Sequence, residues 1–160
     1  IQWYGAAQSY VCSGMVIAVN RVLTAAHCRG NNMLADGAPA VVLQLNEFYD
    51  LALLAAETHK PSISLRDTPV HRFETLTAIG YAWGWTQLSV LEERALLISV
   101  AVGPKNAVGV IVQNGYIGGM SGGPLVDAKG RLVGIVQQTN TGIGYGVGTQ
   151  LIRAFLLGSE

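Results

Sequence analysis

Gly118-Gly119-Met120-Ser121-Gly122-Gly123-Pro124-Leu125 brings one serine between two glycine pairs and runs on into an apolar segment. Glycines on both sides allow backbone conformations closed to residues with a Cβ and leave open space around the serine side chain. A turn of that kind can hold a hydroxyl out toward a substrate and aim successive backbone N–H groups at one point, making an anion hole. A serine alone is a poor nucleophile, so the reading requires a base and a group that orients the base. On its own, a serine among glycines is more often just a turn residue.

Both partners lie upstream. His27 occurs in Val22-Leu23-Thr24-Ala25-Ala26-His27-Cys28, and Asp50 in Phe48-Tyr49-Asp50-Leu51-Ala52-Leu53-Leu54. Each has a bland reading, a satisfied core histidine and a strand-start cap; the three together, in this order, point to nucleophilic catalysis. Asp36 and Asp67 are rivals for the carboxylate, but neither precedes an apolar strand as Asp50 does. His59 and His71 lie in polar, loop-like contexts that suit solvated side chains.

The three contexts resemble the chymotrypsin-like, or trypsin-fold, serine proteases. The family's Thr-Ala-Ala-His-Cys and Asp-Leu-Ala-Leu-Leu stand here unaltered, and its Gly-Asp-Ser-Gly-Gly-Pro differs at Met120, which replaces the aspartate. The resemblance implies a serine endopeptidase with His27, Asp50 and Ser121 as triad. It also implies an oxyanion hole from the N–H groups of Gly119 and Ser121, and no cofactor. Cys12 and Cys28 fall where the family forms a disulfide; without the resemblance they would read equally as two buried thiols. The family's Gly-Trp-Gly is similar to Ala82-Trp83-Gly84, and Gly142-Ile143-Gly144-Tyr145-Gly146 resembles the matching HtrA segment. The shortened second half also resembles small viral or phage proteases. By position, the S1 pocket would have Gly115 and Tyr116 at its base and Gln137, Gln138 and Thr139 on one wall. Gly146, Val147 and Gly148 would form the other. No carboxylate stands at that base, so an uncharged P1 side chain is expected. Two alternatives stay open on the same fold: a self-cleaving polyprotein-type protease and an inactive binding module.

The family's mature chains often begin with isoleucine, whose ammonium pairs with the aspartate before the serine. Ile1 invites that comparison, but Met120 carries no charge, so the loop is expected to be ordered by packing, with Met120 filling apolar space.

The resemblance implies one all-β domain over 1–160: two six-stranded antiparallel barrels, about 1–60 and 73–150, with a short helix at about 150–157, and the succession of strands agrees with it. Strands are expected at 13–19, 22–25, 40–45, 51–55, 76–82, 95–102, 107–113, 125–126, 132–137 and 142–149. Residues 29–39 read as a loop, 103–106 and 127–130 as turns, and 59–70 as the connection between the halves. The chain is 50% hydrophobic and 12% charged, with twenty glycines and zero net charge. No basic run points to nucleic acid. No apolar run reaches the roughly 18 residues that span a bilayer, and no secretory signal is read at the start. The scattered histidines do not suggest a metal site. The expected partner is a protein or peptide substrate, oligomeric state is not legible, and the disulfide would place the chain in a secreted or periplasmic setting.

Overall fold

β-Strands follow one another with little helix between them, in two groups joined by one connection. The computed structural model describes residues 1–4, 9–84, 87–102, 107–112, 118–140 and 143–158. The first group comprises β1 (Gln2–Tyr4), β2 (Ser9–Val11), β3 (Met15–Ala18), β4 (Arg21–Thr24), β5 (Asn31–Ala35), β6 (Ala38–Asn46) and β7 (Leu51–Ala56). They pair antiparallel in the order β2-β1-β5-β6-β7-β4-β3. The second group is β8 (Thr75–Gly80), β9 (Ser89–Val102), β10 (Ala107–Val112), β11 (Pro124–Val126), β12 (Leu132–Asn140) and β13 (Ile143–Gly148). It closes into a barrel in the order β10-β13-β12-β11-β8-β9. The helix α1 (Thr149–Leu156) ends the chain's regular structure.

The architecture is the expected one of two β halves and a short C-terminal helix, with two differences in detail. Among the described residues the first half has seven paired strands, because most of the expected 29–39 loop forms β5, the turn that follows it and the start of β6. Met33 and Ala35 are buried on one face of β5. Asp36 (φ 53°) and Gly37 (φ 83°) then make a two-residue hairpin turn into β6, with Ala35 paired to Ala38. Two successive positive φ values are what Asp-Gly supplies between antiparallel strands. The second difference is β9, which starts at Ser89 rather than near 95 and pairs Thr77 with Glu92 and Leu76 with Glu93. The turn at 103–106 lies outside the described residues.

β7 is central, hydrogen-bonded to β4 on one side and β6 on the other. Its sequence Leu51-Ala52-Leu53-Leu54 is accordingly apolar throughout, with Leu51, Ala52 and Leu54 fully buried. One apolar cluster is built from both halves: Met15, Leu23 and Leu51 from the first, and Leu132, Ile135, Val147, Ile152 and Phe155 from the second. Burying a leucine or isoleucine completely contributes about 1.5–3 kcal/mol, so this shared core holds the halves against each other. The connection adds hydrogen bonds from Leu132 N–H to Ser64 O (2.8 Å) and from Arg66 N–H to Leu132 O (3.0 Å).

Arg66 is 6% exposed. Its guanidinium pairs with both oxygens of Glu74, lies 3.4 Å from Asp127 Oδ2, and donates to the carbonyls of Thr68 and Pro69. Asp127 also accepts the N–H groups of Lys129 and Arg131 and the Arg131 guanidinium, closing the 127–130 turn. Arg66 holds the Glu74 carboxyl below its usual range. Burial pushes Asp127 upward, but the donors from Arg131 and Lys129 outweigh it and leave Asp127 lowered.

Candidate active site

His27 stands on a single 3-10 turn (Ala26–Cys28) that follows β4 directly. Asp50 stands at the entrance to β7 in the left-handed region, φ 57°, a conformation an aspartate tolerates better than most residues. That backbone turns its carboxylate onto His27 at two points. Oδ1 accepts the His27 backbone N–H at 2.8 Å, and Oδ2 lies 2.6 Å from ring Nδ1. Donation from Nδ1–H to the carboxylate leaves Nε2 as the lone-pair nitrogen of the neutral ring. The hydrogen bond to Asp50, with its charge, raises the His27 pKa above 6.5 against the opposing effect of burial. His27 is 48% exposed and Asp50 25%, so Asp50 is only partly buried. A pocket of about 280 Å³ opens here, lined by Ala26, His27, Arg29, Glu47 and Asp50.

The Tyr49–Asp50 peptide is fixed from the other half. Gln137 Nε2 donates to Tyr49 O at 2.6 Å, while Tyr49 N–H donates to Asn46 Oδ1 at 2.9 Å. The side chain of Gln137, a residue expected on a substrate wall, braces the Asp50 turn.

The serine loop is pinned by its carbonyls. Ser121 O accepts Ser13 N–H (2.8 Å), and Met120 O accepts Gly123 N–H (3.0 Å). Gly122 N–H donates to Val136 O at 2.7 Å. Met120 is fully buried among Leu76, Ala78, Ala95, Leu125 and Val136, the apolar filling expected of it. Ile1 lies elsewhere, its ammonium donating to Cys12 O at 2.8 Å. Gly122 has φ 84°, and a Cβ there would lie 2.2 Å from Thr24 Oγ1, so both conformation and space require glycine. Trp83 N–H donates to Gly118 O at 2.6 Å, and the Trp83 ring stands where a Cβ on Gly118 would touch it.

The disulfide Cys12–Cys28 is formed, with Cα atoms 5.8 Å apart, and it ties the His27 turn to the segment entering β3. Cys28 Sγ lies 3.6 Å from Ser121 O, bringing the His27 turn against the serine loop. The two sulfurs and a His27 nitrogen cluster within 4.8 Å, but sulfurs bonded to each other offer no thiolate to a metal. The Ser121 hydroxyl donates to Gln137 O at 3.0 Å; among the described residues it makes no hydrogen bond to His27. Asp36 pairs with Lys60, and Asp67 with Arg153. Neither reaches His27. His59 is exposed beside Glu57.

With this geometry in place, comparison with known proteins is decisive about family. Residues 12–135 match the model of the trypsin-like peptidase domain. The chain belongs to the trypsin-like peptidases. It is a serine endopeptidase of the chymotrypsin-like class. The peptidase superposes on the active form of the Rv3671c protease from M. tuberculosis with TM-score 0.84 and 21% identity, over 94% of this chain and 74% of that one. It superposes on a serine endoprotease from Yersinia pestis with TM-score 0.79 and 22% identity, covering 98% of this chain and 60% of that one. For the HtrA-type protease AlgW the values are 0.80 and 23%, with 94% and 56% covered. At these identities the likeness is one of fold. No curated protein matches the peptidase.

In the peptidase, β12 and β13 are neighbours, with Val136 opposite Gly146 and Gly134 opposite Gly148. Gln138 and Thr139 continue β12, and Gly146, Val147 and Gly148 are buried in β13. Gly115 and Tyr116, the expected pocket base, lie outside the described residues. A larger cavity of about 670 Å³ lies between Ile1, Met15, Val22, Ile63, Ile79 and Leu88, and contains none of His27, Asp50 and Ser121. Ser13 was not among the expected site residues, and Gln137 was expected only on a substrate wall, not as a brace for the Asp50 turn. Each acts on a partner 88 or more residues away, and no local pattern announces such a pairing.

Proposed function

We propose that this peptidase cleaves peptide bonds through an acyl-enzyme on Ser121, with His27 as base and Asp50 as its orienting carboxylate. The carrying observation is the double grip of Asp50 on His27, which frees Nε2 and raises the ring's basicity. Ser121 Oγ attacks the substrate carbonyl carbon while Nε2 takes the hydroxyl proton, and the carbonyl π electrons move onto oxygen. The N–H groups of Gly119 and Ser121 receive that oxyanion. Collapse breaks the C–N bond, and His27 returns the proton to the leaving amine. Water, deprotonated by His27, then hydrolyses the ester. In the proposed reaction the Ser121 hydroxyl turns from Gln137 O to His27, and such catalytic bonds are often long or misaligned before substrate is bound.

Residues 1–160 act as one domain on protein or peptide substrates, with P1 received between Gln137-Gln138-Thr139 and Gly146-Val147-Gly148 over Gly115 and Tyr116. None of these carries a charge, and a desolvated cation needs a paired one. P1 is therefore uncharged; a peptide-library profile led by Arg or Lys at P1 would overturn that. The Cys12–Cys28 disulfide supports a secreted or periplasmic setting. Ser121→Ala is the direct test. Turnover of a cleavable peptide should fall by about 10⁴- to 10⁶-fold, and a fluorophosphonate should label Ser121 in the parent alone. A variant as fast as the parent disproves the assignment.

A further inference from the structure

Ser13 is 1% exposed, and every hydrogen-bonding group it has is in use. Its hydroxyl accepts Tyr81 N–H at 2.8 Å and donates to Gly119 O at 2.8 Å. Its N–H donates to Ser121 O at 2.8 Å, and its carbonyl accepts the Thr24 hydroxyl at 2.7 Å. The two loop carbonyls it holds, Gly119 O and Ser121 O, belong to the peptide units on either side of the one that carries Ser121 N–H, and the Gly119 unit also lies between the two units whose N–H groups are assigned to the oxyanion. A peptide unit is planar and trans, so fixing a carbonyl fixes the whole unit that follows it. Trp83 N–H ties Gly118 O in the unit that carries Gly119 N–H, Gly123 N–H ties Met120 O in the unit that carries Ser121 N–H, and Ser13 ties the unit between them; the N–H groups of Gly119 and Ser121 have no partner among the described residues. Gly119 sits at φ 94°, a conformation that glycine enters and leaves at little cost, so the geometry depends on outside restraint.

We propose that Ser13 is a positioning residue for the oxyanion hole: its hydroxyl, itself oriented by Tyr81 N–H, holds the Gly119–Met120 peptide that links the two donating units, and so limits the backbone rotations at Gly119 and Met120 that would turn either amide away from the reacting carbonyl. Ser13 touches no substrate; it acts from the other half of the molecule, and it does so beside the disulfide. Its neighbours leave no slack. A Cβ on Gly80 would lie 2.8 Å from Ser13 Oγ, and one on Gly123 would lie 3.1 Å from Ser13 Cβ. Both neighbouring positions must therefore be glycine to leave Ser13 its place. The inference rests on the assignment of Ser121 as nucleophile.

The test is Ser13→Ala, with kcat and KM measured on a peptide substrate. Misaiming an oxyanion donor should lower kcat by roughly 10- to 100-fold with KM within about threefold of the parent. Affinity for a peptide boronic acid, which forms a tetrahedral adduct on the serine, should fall in the same proportion as kcat, while affinity for the cleaved product peptide should hold. Thr24→Val is the control: it removes a buried hydrogen bond to the same residue without touching a loop carbonyl, and should lower Tm while leaving kcat unchanged. If Ser13→Ala does not fold, Ser13→Gly takes its place, with the same split between kcat and KM expected. A folded variant with parental kcat overturns the proposal. So does an equal loss of boronic acid and product binding, or a kcat loss matched by Thr24→Val. An inactive parent, or an active Ser121→Ala, would instead defeat the reading of the site itself.

Discussion

Asp50 combines an unfavourable backbone with two hydrogen bonds to one neighbour, and the pairing explains the residue's conformation. A left-handed aspartate at a strand entrance is held only when the surroundings require it; here the bonds to His27 N–H and Nδ1, and the brace from Gln137 onto Tyr49 O, supply that requirement. Two effects of pH follow, with opposite signs. On the proposed mechanism His27 must be neutral to act as base, so kcat/KM should climb with pH through an apparent pKa above 6.5, the direction in which Asp50 moves His27. The stability that the protonated pair contributes runs the other way: it is fully present below the ordinary histidine value and is lost as pH rises through the raised one. Asp50→Asn should bring the kinetic pKa back toward 6.5 or below and cost about 10⁴-fold in turnover. A pH–rate profile that does not move between parent and variant would show that Asp50 does not set the base. The three residues proposed to react each stand in a recognisable local context: His27 and Ser121 in their short motifs, and Asp50 ahead of an apolar strand. The restraints on them were not legible, because a serine after a cysteine or a glutamine in a strand has no distinguishing neighbours.

The same division holds among elements. Strands whose burial is continuous, such as β4 and β7, declare themselves by composition. β5 does not: Asn31 and Asn32 suggest a loop, and Asn32 indeed has φ 50°, yet Met33 and Ala35 alternate inward and Asp36-Gly37 turns the chain. The hairpin signal was present, but polar residues outnumbered it. β9 was shortened for a similar reason, since Glu92-Glu93-Arg94 reads as solvated although it pairs against β8. At this scale the disulfide matters most. Cys12 and Cys28, 16 residues apart, close a loop worth about 3 kcal/mol in the chain-entropy model. For a domain of this size each kcal/mol moves Tm by about 2–4 °C, so reduction should lower Tm by roughly 6–12 °C. Calorimetry with and without a reductant measures this; an unchanged Tm would mean that the bridge restrains neither the His27 turn nor the unfolded chain.

Over the whole molecule, the halves meet through a shared apolar core and through Arg66, which gathers the connection, Glu74 and the β11–β12 turn around one guanidinium. Removing one partner from such a network leaves buried charge unpaired and costs about 3–5 kcal/mol. Arg66→Met should therefore lose about that much in urea unfolding near neutral pH. Because Glu74 and Asp127 titrate below the usual carboxylate range, their contribution is present above about pH 4 and disappears as pH falls through the lowered values. The parent should thus lose stability on acidification more steeply than Arg66→Met, and parallel curves would refute the network's role. Fold class was legible from the succession of strands, whereas this network was not: Arg66, Glu74 and Asp127 are ordinary surface types until folding brings them together. The placement of the site itself has one further consequence. His27 and Asp50 belong to the first half and Ser121 to the second, and each half braces the other's reacting group, Ser13 the loop of Ser121 and Gln137 the turn of Asp50. On the proposed mechanism the enzyme is in effect a coincidence detector, since base and nucleophile come from different halves and each half braces the other's group.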